Sequence, residues 1–178
     1  EQLAYFADEL GKVEENKVWQ NRSSARAVLI RKYLKDERGV FCDYNMATGK
    51  CNRIVSVASF FPLYFKLATV EEAETMLNML PRIEMEYGVV ASEQSDIPGT
   101  YQWGYPNGWP PLQRIMVQGL MNYGYCSEAR RIAEKYVKLV EQCFEKTGHL
   151  WEKYNVVEGN VEVTNEYKMP AMLGWTFG

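Results

Sequence analysis

Apolar residues recur at helical spacing in several separate stretches of this 178-residue chain, and the connections between most of them are short. That pattern favours antiparallel helical hairpins. Leu3, Phe6, Leu10 and Val13 open the chain inside a helix with no capping residue ahead of it, which predicts that further chain precedes Glu1. A second helix is predicted from about Ser23 to Leu34, with Ala25, Val28 and Leu29 on one face. Asp36-Glu37-Arg38-Gly39 reads as a turn, residues 40–45 as extended and Ala47-Thr48-Gly49-Lys50 as another turn, which allows a small β-hairpin. Pro62 interrupts the apolar run from Val57 to Leu67, near the start of a short helix. Thr69-Val70-Glu71-Glu72 is a capping box ahead of a helix with Ala73, Met76, Leu77 and Leu80 on its inner face. From Pro110 to about Tyr123 a helix buries Leu112, Ile115, Met116 and Leu120. Ser127 is expected to cap the next, which bears Ile132, Ala133, Tyr136, Val137, Val140 and Phe144. Residues 149–178 read as loop. No heptad seam and no β-α-β alternation is present, so the fold class is all-α.

Composition narrows the function classes. The formal charge is -3 and the basic residues are dispersed, which argues against a nucleic-acid partner. No apolar run reaches membrane-spanning length. The first residues lack the basic start and apolar block of a signal peptide, and the compartment stays open. Cys42, Cys51, Cys126 and Cys143 form no C-x-x-C pair and His149 is the sole histidine, so a metal site is not expected. All four cysteines read as free, mostly buried thiols; Cys42 and Cys51 can meet only if their loop folds back.

Two loops concentrate unusual chemistry. Residues 88–109 form a long connection, and its end, from Tyr101 to Gln113, presents Gln102, Trp103, Asn107 and Trp109 on a backbone rich in Gly and Pro. Indole faces suit the C–H face of a pyranose and amides serve hydroxyls in both senses. The competing reading is a loop packed under its own aromatics. The second segment, Leu150-Trp151-Glu152-Lys153-Tyr154-Asn155, is followed by Thr164-Asn165-Glu166-Tyr167 and Gly174-Trp175. Glycoside hydrolysis needs two carboxyls across the scissile bond, and Glu152 and Glu166 stand in aromatic surroundings. Lys153 reads equally as an exposed charge or as a stabiliser of the Glu152 carboxylate.

The loop 102–113 resembles the trehalase signature Q-W-D-x-P-x-G-W-x-P, matching at Gln102, Trp103, Pro106, Gly108, Trp109 and Pro111. Further similarities follow in the family's order. Gly39 to Tyr44 is similar to its G-x-x-x-D-Y turn, Phe61 to Tyr64 to its P-L-[WY] segment, and Gly88 to Ser92 to its G-[GI]-x-x-S stretch. Glu152-Lys153-Tyr154 resembles its E-K-Y, Glu166-Tyr167 its E-Y, and Gly174-Trp175-Thr176 its G-W-T. The resemblance to this family of inverting α,α-trehalases spans nearly the whole chain. It implies part of an (α/α)6 toroid, with inversion at the anomeric carbon and without metal or organic cofactor. By motif position it makes Glu152 the general base, Glu166 a carboxylate near the sugar, Trp103 a wall of the pocket and Gln102 its neighbour.

This sequence departs from the pattern in two places. Gly104 stands where the family has Asp, and residues 161–165 replace the glycine-rich stretch before the E-Y motif. The general-acid motif G-W-D-[FY]-S-S-R-W and the arginine-containing sugar motifs do not occur in these 178 residues. The expectation is therefore a single partial catalytic domain over 1–178, the C-terminal half of the toroid, inactive alone, whose partners are a small sugar such as trehalose and either a missing N-terminal half or a second copy. The alternative is a non-catalytic sugar-binding or interaction module on the same scaffold. The enzyme reading further requires Glu152, Glu166 and Trp103 to converge on one concave face.

Overall fold

The computed structural model describes residues 1–97, 99, 101–164, 166–171 and 175. They fall into two compact units, 1–52 and 53–178.

The first unit is a helical hairpin followed by a β-hairpin. Helix α1 (Gln2–Glu9) buries only Ala4 and Ala7, and Leu3, Phe6 and Leu10 are exposed. The expected continuation through Val13 fails because Gly11 takes φ +67°, a left-handed conformation that glycine adopts without a Cβ penalty. The chain turns there and re-enters helix α2 (Val13–Tyr33), where the Asn16 amide donates to the Ala4 carbonyl at 2.7 Å. Helix α2 begins ten residues before the predicted Ser23. Its first half has no apolar stripe to announce it, and none of its residues is buried. Asp36 then organises the turn, accepting from the backbone N–H of Arg38 and Val40 and from the Arg38 guanidinium. Burial raises its pKa, but these bonds outweigh it and hold the carboxyl below its usual range. Strands β1 (Tyr44–Asn45) and β2 (Lys50–Cys51) form the anticipated hairpin, pairing Tyr44 with Cys51. That pairing folds the loop back and joins Cys42 to Cys51 in a disulfide, which corrects the expectation of four free thiols. Of the other two, Cys143 is buried and Cys126 is exposed.

The second unit contains the larger core. A 3₁₀ turn over Val57–Phe60 leads into the short helix α3 (Phe61–Tyr64), with Pro62 in its first turn where its missing N–H costs nothing. The Thr69–Glu72 capping box closes reciprocally, at 3.2 and 2.8 Å, ahead of α4 (Val70–Met79). Strands β3 (Glu84–Met85) and β4 (Gly88–Val89) make a tight hairpin. Helices α5 (Pro110–Asn122) and α6 (Cys126–Thr147) pack against each other, and α5 also packs against α3. Phe60, Leu63, Met76, Met116, Leu120, Ile132 and Leu139 are almost fully excluded from solvent. The capping role expected of Ser127 is not observed: α6 starts one residue earlier and the Ser127 hydroxyl donates to Glu128 instead. Leu112 and Ile115 are only half-buried, whereas Gln113 is buried. Its amide completes both backbone bonds of Val89, donating to the carbonyl at 2.7 Å and accepting from the N–H at 2.9 Å.

Glu84 ties the β3–β4 hairpin to α6, accepting two bonds from Arg131 and one from Lys135, all at 2.8 Å. The Arg131 bonds, against the cost of burial and with help from Lys135, hold its carboxyl below the ordinary value. A depressed folded pKa means this stabilisation is complete above about pH 4.3, the unperturbed glutamate value, and fades as pH falls through the folded value. Glu84→Gln is therefore expected to lower stability by about 2 kcal/mol at neutral pH and to flatten the acid limb of stability. Chemical denaturation at pH 7 and pH 3 checks both.

Candidate active site

The two aromatic loops are joined by a short antiparallel pairing. Strand β5 (Asn107–Gly108) pairs with β6 (Tyr154–Asn155), matching Asn107 to Asn155 and Gly108 to Tyr154. Extended by one residue, that register brings Trp109 opposite Lys153, and the Lys153 ammonium lies over the Trp109 ring, 4.5 Å from its centroid. The pairing depends on Gly108: a Cβ there would collide with Val156 Cγ1 and press on the Val89 carbonyl at 3.1 Å.

Asn107 is fully buried and its amide is committed to the loop. It donates to the carbonyls of Gln102 (2.9 Å) and Thr164 (2.7 Å) and accepts from the Thr164 N–H (3.0 Å). The Trp109 indole N–H also donates to the Gln102 carbonyl, at 2.8 Å. The structure thus places Asn107 and Trp109 beneath the surface, supporting residues that reach it. Trp103 does reach it: 48% exposed, it stacks on Trp109 with ring centroids 3.8 Å apart and planes 4° from parallel. Trp175 meets the other part of this cluster edge-on, 5.6 Å from Trp109, and donates its N–H to the Glu152 carbonyl at 3.1 Å.

Glu152 stands beside this stack. Its Oε2 accepts from the Lys153 ammonium at 3.0 Å and from the Tyr167 hydroxyl. The Glu152 side chain is 12% exposed and that of Lys153 not at all. A buried ammonium is tolerated only when paired, and here it has the carboxylate and two ring faces, those of Trp109 and Tyr167 (4.7 Å). Desolvation first, then the bond to Glu152 and the negative charges of Glu152 and Glu166, push the Tyr167 phenol up to about 12. Tyr167 is therefore protonated at neutral pH and can donate. Glu166 is exposed, and its Oε2 accepts from the Gln102 amide at 3.4 Å, while Gln102 Oε1 is buried without a partner among the described residues.

Lys153 and Tyr167 carry more of this geometry than their sequence context discloses. Only the β5–β6 register, a long-range pairing, shows that Lys153 points inward. Asn165, Gly174 and Thr176 of the predicted motifs lie outside the described residues. Among the described residues no cluster of His, Cys, Asp and Glu suited to a metal is found, and no helix is long and apolar enough to cross a membrane.

A trehalase family model matches residues 1–178. This chain belongs to the trehalase family. The probable trehalase of Eremothecium gossypii is 36% identical and the cytosolic neutral trehalase of Kluyveromyces lactis 34% identical, each matched over 96% of this chain. This trehalase-family chain spans about a quarter of the length of those curated relatives, 24% of each. Among solved structures, neutral trehalase Nth1 from Saccharomyces cerevisiae superposes with a TM-score of 0.72 and 34% identity, over 80% of this chain and 27% of that one. A GH63 mannosylglycerate hydrolase from Thermus thermophilus superposes at 0.71 over 91% of this chain and 38% of that one, with 17% identity, a likeness of fold alone. This trehalase-family chain accordingly has the fold of part of an α/α toroid, helical with only two-stranded sheets among the described residues.

Proposed function

We propose that this trehalase-family chain supplies the base side of an inverting hydrolysis of the α,α-1,1 bond of trehalose, within a larger catalytic toroid. Glu152 takes a proton from the attacking water. The water oxygen bonds to the anomeric carbon on the face opposite the leaving group, and the departing glucose oxygen takes a proton from an acid outside these residues. Trp103 offers its exposed face to the sugar, backed by Trp109. Gln102, whose amide nitrogen reaches the exposed Glu166, and Glu166 itself hold hydroxyls. Asn107 and Trp109 act from below. One observation carries this reading: a carboxylate fixed by a buried lysine lies beside an indole platform that presents a free face. The acid would stand roughly 6.5–9.5 Å from Glu152, leaving room for the water.

The purified chain alone is expected to release no glucose from trehalose, because the family's general-acid motif does not occur in these 178 residues. Supplying the rest of the Eremothecium gossypii relative, as separate chain or fusion, is expected to restore release. Coupled glucose assays check both, and turnover by the isolated chain would reject the division of acid and base. Sugar binding without turnover in the completed protein would favour a non-catalytic module. The exposed Leu3, Phe6 and Leu10 of α1 are offered as the face that such a completing segment, or a second copy, covers.

A further inference from the structure

The Glu152 carboxylate is held asymmetrically. Every hydrogen bond made to its side chain among the described residues ends on Oε2, from the Lys153 ammonium and from the Tyr167 hydroxyl. The same hydroxyl accepts from Lys153 at 3.4 Å, so lysine, phenol and carboxylate close a three-membered ring of bonds. Lys153 is itself fixed by its surroundings. Its side chain is wholly buried, with its ammonium over the rings of Trp109 and Tyr167. One face of Trp109 is covered by the parallel indole of Trp103 at 3.8 Å, which leaves no room there for an ammonium, so Lys153 takes the opposite face. The order through the site is Trp103, Trp109, Lys153, Tyr167, with Glu152 bonded to the last two.

We propose that Lys153 and Tyr167 are positioning residues that anchor Oε2 of Glu152, leaving Oε1 as the atom that takes the proton from water. This rests on the reading of Glu152 as the base. Two donors on one oxygen remove the rotation that would exchange the two. The exchange matters because a proton acceptor must meet its water within hydrogen-bond reach, and a displacement of about 1 Å can cost about a hundredfold in rate. The Trp109 partition also couples the anchor to the platform, since the ring that backs Trp103 holds the cation that orients the base. Neither residue touches the reacting atoms. Each acts through Glu152, so its removal acts on turnover more than on sugar affinity.

The test has two arms. In the first, low-temperature proton spectra of the full chain at neutral pH should show the Tyr167 hydroxyl proton downfield of the amides, assigned by its loss in Tyr167→Phe and Glu152→Gln. Lys153→Met should shift or abolish it, while Lys153→Arg, which keeps a donor, should retain it. In the second, in the complemented enzyme, Tyr167→Phe should lower kcat about tenfold and Lys153→Met about a hundredfold, with KM within about threefold. Tyr167 is partly exposed and its phenyl ring remains, so that variant keeps the test decisive if Lys153→Met fails to fold. An unchanged kcat in Tyr167→Phe, or an unchanged hydroxyl signal in folded Lys153→Met, would overturn the anchoring. If instead Glu152→Gln leaves turnover intact, it is the base reading that fails, and the spectra still decide whether Oε2 is held.

Discussion

Replacing Glu152 by glutamine in the complemented enzyme is expected to reduce kcat by about 10²–10⁴-fold, the span that a positioned general base contributes. The amide keeps the shape of the side chain but cannot take a proton from water. It also leaves the wholly buried Lys153 ammonium without its anion, so a modest loss of stability should accompany the loss of turnover. Glu152→Asp separates the two effects. It retains the charge that Lys153 requires but withdraws the carboxylate by one methylene, and a loss of about a hundredfold is expected from position alone. Initial rates of glucose release, with thermal melts of the same samples, check the pair. Equal activity in the wild type and both variants would remove Glu152 from the reaction.

Trp109→Ala is expected to have the largest effect on stability, about 3–5 kcal/mol, or a fall of roughly 10 °C in melting temperature for a chain of this size. The indole is 1% exposed, stacks on Trp103, meets Trp175 edge-on and lies against the Lys153 ammonium. Alanine would remove all of these contacts together with the bond to the Gln102 carbonyl. Trp103→Ala removes one exposed ring and should cost less than about 1 kcal/mol, while removing the proposed sugar platform. Melting curves paired with trehalose titrations should therefore separate the two tryptophans, Trp109 by stability and Trp103 by affinity. Equal losses of stability would contradict the assignment of Trp103 to the surface.

Local signals were readable and long-range ones were not. The Thr69–Glu72 capping box depends on four consecutive residues and closes as written. The α5 periodicity marks Met116 and Leu120, both wholly buried. Helix α2 was half hidden because its polar first turns carry no stripe, and Gly11 broke a pattern that spacing alone would continue. The disulfide required the Tyr44–Cys51 register, which cysteine spacing does not contain. At the site, residue types pointed to the loops around Trp103 and Glu152. They could not separate the exposed indole from the buried one, or show that the Asn107 amide is already spent on Gln102 and Thr164. The inward lysine of Glu152-Lys153-Tyr154 becomes visible only when β6 pairs with a strand over forty residues upstream.

The Gln113 amide, bonded to both backbone groups of Val89, works as a clasp at the foot of the long loop, reinforced where the Ala91 N–H meets the Asn107 carbonyl at 2.8 Å. The β5–β6 pairing that sets Trp109 against Lys153 lies on the helix side of that clasp, and within the loop Gln102 and Trp103 contact Trp109. The stretch beyond it, around residues 94–97, is exposed and enters none of those bonds. Lengthening a closed loop is cheap, about 0.6 kcal/mol for a doubling. Insertions at this exposed edge are therefore expected to leave the Trp109–Lys153 contact in place. The outer edge of the loop and the packing around Lys153 are in this way free to vary at separate rates.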